Sequence, residues 1–171
     1  MNSGFADLRV LLVDDNQHMR AIVMAVLIGV GIKHIRETRD GVEAFQAVKE
    51  WSYDVAIVDF QMAEMDGVEF TRLVRNSPES RNHYLPIIMM TGHSERTRVE
   101  EARDAGVTEF IAKPLTAKSV LERLQAVIYR PRAFVRTDEF FGPDRRRRQE
   151  ADYAGPWRRA TDADAAAEIG A

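Results

Sequence analysis

Five short apolar runs, each followed by a stretch of helical period, constrain this chain more than any other feature. The runs are Val10–Val13, a weaker Lys33–Arg36, Val55–Val58, Pro86–Met90 and Glu109–Ala112. Runs of four or five residues with apolar side chains on successive positions suit strands buried on both faces, as in a parallel sheet covered by helices. Between them the apolar positions recur at helical spacing: Met19, Ile22, Val23, Val26, Leu27 and Val30; then Ala44, Phe45, Ala47, Val48 and Trp51. Met65, Val68, Leu73 and Val74 follow the third run, Val99, Ala102 and Ala105 the fourth, and Val120, Leu121, Leu124, Val127 and Ile128 the fifth. Strict alternation of five strands and five helices predicts a doubly wound α/β sandwich ending near Tyr129-Arg130-Pro131. Alternation does not by itself order the strands in space.

The expected organisation is a domain over residues 1–130 and a flexible tail over 131–171. Asp40-Gly41 and Ser94 read as helix starts, Gly29 and Gly31 flank a helix end, and Asn76–Asn82 is a polar loop. Past Pro131 the apolar periodicity stops, and Gly-Pro pairs, an Arg145–Arg148 run and an Ala/Asp-rich end follow; this composition is read as mostly disordered. Phe141-Gly-Pro-Asp-Arg-Arg146 and Tyr153-Ala-Gly-Pro-Trp-Arg-Arg159 form a weak internal repeat, either a solvated remnant or a peptide that docks on a partner.

Composition removes several function classes. The chain has no cysteine, which excludes thiolate nucleophiles, Cys-based zinc sites and disulfides. A net charge of −3 argues against coating of nucleic acid, and the acidic positions from Asp162 to Glu168 offset the arginine run. The Met1–Val13 stretch has no basic leader, and Ala21–Ile32 is too short to span a bilayer, so the expectation is a cytoplasmic protein without membrane insertion. The histidines His18, His34, His83 and His93 share no metal-ligand spacing; His93, two residues past Thr91, could line the mouth of a site there.

Four of the strands end on residues suited to phosphate chemistry: Asp14 and Asp15, Asp59, Thr91, and Lys113. In an open parallel sheet the carboxyl ends of the strands form one edge, where the ligand crevice lies, so these residues should converge. Three crowded carboxylates repel one another unless a cation sits among them, and hard oxygen donors favour Mg²⁺. A carboxylate nucleophile, a metal, a lysine and a hydroxyl together equip a site to form an aspartyl phosphate. Taken singly, Asp14-Asp15-Asn16 reads equally as a helix N-cap cluster, Lys113-Pro114 as a turn, and Phe110 as a core aromatic.

In Leu11-Leu-Val-Asp-Asp15-Asn, Val58-Asp59-Phe-Gln-Met62-Ala-Glu-Met-Asp-Gly67, Met90-Thr91-Gly92 and Phe110-Ile-Ala-Lys113-Pro114, the chain resembles the bacterial response-regulator receiver family over roughly residues 8–129. The tail resembles those of some single-domain regulators of alphaproteobacterial type. The resemblance implies a CheY-like strand order 2-1-3-4-5 and a cis Lys113-Pro114 peptide. It makes Asp59 the phosphoacceptor, and Asp14, Asp15, Asp59 and the Gln61 carbonyl the Mg²⁺ site. Thr91 and Lys113 would bind phosphoryl oxygens, with Thr91 and Phe110 as the switch pair. Ala63 departs from the family, which commonly has proline after the methionine, and leaves the loop after Asp59 less restrained. The implied function is a stand-alone response regulator, not a metabolic enzyme. It would take phosphoryl groups from a histidine kinase or histidine phosphotransfer protein and bind a downstream protein. A phosphorylation-independent scaffold and a phosphate sink are the rival readings. An aspartyl phosphatase is disfavoured because no second aspartate stands two residues after Asp59.

Overall fold

The computed structural model describes residues 3–92 and 97–145. After a 3₁₀ turn at Ser3–Phe5, the chain runs β1 (Arg9–Val13), α1 (Gln17–Gly29), β2 (His34–Thr38), α2 (Gly41–Glu50), β3 (Val55–Asp59) and α3 (Gly67–Asn76). It continues through β4 (Ile87–Thr91), α4 (Val99–Ala105), β5 (Glu109–Ala112), α5 (Ala117–Tyr129), β6 (Phe134–Arg136) and β7 (Phe141–Pro143). The first five strands form one parallel sheet in the order β2-β1-β3-β4-β5, so β1 and β3 are central and the carboxyl ends of all strands share an edge.

The apolar runs are continuous because both faces of the sheet are covered. Alternate residues separate cleanly: Leu11, Val13, Ala56, Val58, Ile87 and Met89 face α2, α3 and α4 through Ala44, Val48, Val68, Phe70, Val74 and Ala102. Their neighbours Val10, Leu12, Val55, Ile57, Ile88 and Met90 face α1 and α5 through Val23, Leu27, Val120, Leu124 and Val127. Each such buried side chain contributes about 1.5–3 kcal/mol, so the sheet is a rigid platform for its carboxyl edge. β2 is an edge strand with His34, Arg36 and Glu37 exposed, which explains its weak apolar signal and protects the edge from pairing with another chain.

Beyond Arg130 the chain departs from the expectation drawn from periodicity. Residues 131–145 form an antiparallel hairpin, β6 with β7, instead of a free tail. Phe134 and Phe141 meet each other and the exposed Tyr84, with ring centroids 5.0–5.6 Å apart. Gly142 lies against Gly106, which has φ 101 at the end of α4; a Cβ on Gly142 would approach the Gly106 Cα to 2.8 Å. Arg145 pairs with Asp104 at 2.6 Å and Arg132 with Glu109 at 2.7 Å. The underlying hub is Arg75, a buried guanidinium that donates to the carbonyls of Gly106 and His83 and stacks on Phe134. Burial lowers its pKa to about 9. Isolated aromatics and a Gly-Pro step, rather than a periodic run, supply this packing, so a search for period cannot find it. The arginine run past Arg145, the second repeat copy at Tyr153–Arg159 and the acidic end lie outside the described residues, as do His93 and Ser94.

Candidate functional site

The sheet brings the carboxyl ends of β1, β3, β4 and β5 together, and with them the polar residues that close each apolar run. Asp14 and Asp59 are buried and Asp15 is exposed, and each offers a carboxylate oxygen to a cluster whose members lie within 4.8 Å of one another. The Asp-Asp-Asn segment divides its labour. Asn16 alone caps α1, its side chain accepting from the N–H groups of His18 and Met19. Asp14 accepts from the Asn16 N–H at 2.8 Å through Oδ1, while its Oδ2 is buried with no hydrogen-bond partner among the described residues. Asp15 accepts from the N–H of Ala63, 3.0 Å away on the loop after β3.

Asp59 ends β3. Its Oδ1 is 2.6 Å from Lys113 Nζ and also accepts from the Phe60 N–H at 3.0 Å. No described residue donates to its Oδ2. Gly67 opens α3 directly against this strand end: a Cβ there would run into the Asp59 carbonyl oxygen. Asp66 and Glu69 form a capping box that starts α3 at this point.

Burial pushes the Asp59 carboxyl up to about 6; Asp14 beside it adds to the rise, against the hydrogen bond and charge of Lys113 and the Phe60 N–H. Asp14 is also raised, first by burial and further by Asp15, with the Asn16 N–H, Lys113 and Arg20 opposing. Two buried carboxylates held against their ionised form, one with an oxygen that no described residue donates to, fit a divalent cation. Carboxylate oxygens without sulfur ligands match the preference of Mg²⁺.

Thr91, the last residue of β4, is half-buried, and among the described residues its hydroxyl makes only a long 3.5 Å contact with the Ile111 carbonyl. Its own carbonyl accepts from the Lys113 N–H at 2.8 Å, which sets the two side by side. The Lys113-Pro114 peptide is cis. Phe110 is partly buried on the α2-α3-α4 side of the sheet, with the Arg103 guanidinium 5.9 Å from its ring centre and Arg123 donating to its carbonyl. Gln61 is exposed in the loop after β3. Sequence reasoning missed the Ala63 N–H: the lack of proline was visible, but its bond across 48 residues was not.

Known proteins resemble this chain over most of its length. The response regulator receiver domain model matches residues 10–125. The chemotaxis protein CheY-3 of Vibrio cholerae is 32% identical over 124 residues, covering 72% of this chain and 94% of the relative. The chemotaxis protein CheY of Pseudomonas aeruginosa is 31% identical, covering 72% and 98% respectively. Among solved structures, CheY4 of Vibrio cholerae superposes with a TM-score of 0.64 at 30% identity, covering 71% of this chain and 98% of that one. The receiver domain of a sensor histidine kinase from Pseudomonas aeruginosa, solved with a magnesium ion coordinated in its active site cleft, gives a TM-score of 0.62 at 27% identity, covering 69% and 94%. Receiver domains are signalling proteins rather than metabolic enzymes, and no helix among the described residues is long and apolar enough to cross a membrane. A family model that spans most of the chain, relatives sharing almost a third of their residues and superposition on a solved CheY lead to one assignment: this chain belongs to the response regulator receiver domain family, and is CheY-like.

Proposed function

We propose that this chain is a phosphoacceptor switch in a two-component phosphorelay, with Asp59 as the modified residue. The observation that carries the reading is the Asp59–Lys113 pair set beside the Asp14 and Asp15 carboxylates at the carboxyl edge of the sheet. An Asp59 carboxylate oxygen attacks the phosphorus of a phosphohistidine on a histidine kinase or phosphotransfer protein. The O–P bond forms as the P–N bond breaks, and the imidazole nitrogen keeps the electron pair. Lys113, freed from part of its pairing with Asp59, neutralises a phosphoryl oxygen, and the loosely held Thr91 hydroxyl donates to another. Asp14, Asp15, Asp59 and the Gln61 carbonyl would hold Mg²⁺, which supplies the positive charge that the crowded carboxylates and phosphoryl oxygens lack. Phosphorylation thereby draws Thr91 toward Asp59 and repositions Phe110. This changes the surface of α4, β5 and α5, where a downstream protein binds.

Intact mass measured after incubation with a small phosphodonor and Mg²⁺ tests this. One acid-labile phosphoryl group is expected on the parent chain and none on Asp59→Asn. Full labelling of that variant would overturn the assignment of Asp59.

A further inference from the structure

The loop from Gln61 to Asp66 carries a departure from the family pattern, Ala63 where proline is common, and the structure shows what Ala63 contributes. Proline has no backbone N–H. At this position Ala63 supplies one, and it donates to Asp15 Oδ2 at 3.0 Å. Among the described residues this is the only hydrogen bond between the Asp14-Asp15 pair and the loop after β3. The donor is also held from its other side. The Ala63 carbonyl accepts from the Met65 N–H at 2.8 Å, closing a three-residue turn with Glu64 at φ 65, a left-handed conformation that a non-glycine residue adopts only under local constraint. Met65 in turn abuts Gly41, where a Cβ would approach its side chain and carbonyl within 2.8–2.9 Å. The Ala63 N–H thus leads into a tight turn that packs on the start of α2. Asp15 has no other protein hydrogen bond among the described residues, and one of its carboxylate oxygens belongs to the acidic cluster.

We propose that the Ala63 backbone N–H is a positioning group for the metal site: it holds Asp15 in the orientation that ligates Mg²⁺, a tether that proline at this position cannot provide. Outer hydrogen-bond donors to ligating groups act in this way in metal sites generally, by fixing a ligand before the ion arrives. The inference rests on the reading of the acidic cluster as a Mg²⁺ site. It implies that the loop is pinned to the β1 acidic pair by a bond that depends on the Ala63 N–H.

The test is Mg²⁺ titration of the full chain, its Ala63→Pro variant and its Ala63→Gly variant. Calorimetry supplies affinities and amide spectra report on the Ala63 N–H of the parent and glycine chains. With both partners exposed, removal of the N–H in Ala63→Pro is expected to weaken Mg²⁺ binding about tenfold, at the low end for a lost outer donor. Ala63→Gly, which keeps the N–H, should stay within about twofold of the parent. In the parent, the Ala63 amide proton should sit downfield, as a carboxylate-bonded N–H does, and stay there when Mg²⁺ saturates the site. Equal affinity of the parent and Ala63→Pro would overturn the proposal. So would an upfield move and rapid exchange of the Ala63 amide on adding Mg²⁺, since the metal would then be breaking the bond instead of using it; this readout needs no variant to fold. If the parent chain itself bound no Mg²⁺, the metal reading of the cluster would fall first, and the positioning role with it.

Discussion

Replacing Asp59 by asparagine should stabilise the fold at alkaline pH while destroying the phosphoacceptor. Asparagine matches the volume of the buried carboxyl and resembles its neutral form, so the variant removes the cost of ionising Asp59 in the folded state. Burial, with Asp14 alongside, sets the folded pKa at about 6 against an ordinary value of 3.8. At about 1.4 kcal/mol per pKa unit, that gap corresponds to about 3 kcal/mol once Asp59 is fully ionised. Lys113 loses its anionic partner in the variant, but its side chain is 27% exposed and reaches water, so a net gain of about 1–3 kcal/mol is expected. The sign follows from proton counting. Between pH 3.8 and about 6 the folded parent binds more protons than the unfolded chain, so its stability falls as pH rises through that window and is level above it. The variant lacks the share of that fall that Asp59 causes. Urea unfolding of both chains at pH 4 and pH 8, with EDTA present to remove divalent ions, reads the difference directly. The advantage of Asp59→Asn should be small at pH 4 and full at pH 8. An advantage independent of pH would trace to packing, and a less stable variant at pH 8 would refute the electrostatic argument.

Two other expectations concern the switch and the hairpin. A charge-assisted hydrogen bond is worth about 1.5–3 kcal/mol, and the one from Thr91 would be new, a shift of roughly ten- to 150-fold in the population ratio, while Lys113 exchanges its bond to Asp59 for one to the phosphoryl group. Amide spectra with Mg²⁺ and beryllofluoride should therefore change at Phe110 and along α4 in the parent and stay local to Asp59 in Thr91→Ala; identical patterns in both would remove Thr91 from the switch. A chain ending at Arg130 should unfold at lower urea than one ending at Arg145. It loses the Tyr84, Phe134 and Phe141 ring contacts and the cover over Arg75, together about 2–4 kcal/mol. Coincident unfolding midpoints would mean that the hairpin adds nothing to the domain.

The reach of the sequence follows from which interactions leave a periodic trace. β1, β3 and β4 are legible because burial on both faces makes every position apolar. β2 is blurred, expected at Lys33–Arg36 and found at His34–Thr38, because an edge strand keeps charged side chains in solvent. Asp14, Asp15, Asp59, Thr91 and Lys113 stand out because each interrupts an apolar run at its carboxyl end, and a parallel sheet aligns those ends whatever the strand order. The order β2-β1-β3-β4-β5 came from family resemblance, since alternation is the same for every permutation.

What only the tertiary structure decided is how the polar groups are shared out. Asn16 and not the aspartates caps α1, Asp14 keeps an oxygen without a donor, and Asp15 takes the Ala63 N–H from a loop 48 residues away. The hairpin belongs to the same class, with Gly142 seated on Gly106 and Arg145 on Asp104. Such contacts depend on where two distant segments end in space and on which backbone groups remain unpaired there. Neither quantity has a period along the chain, so the residue pattern carries the site's position while the packed sheet carries its wiring.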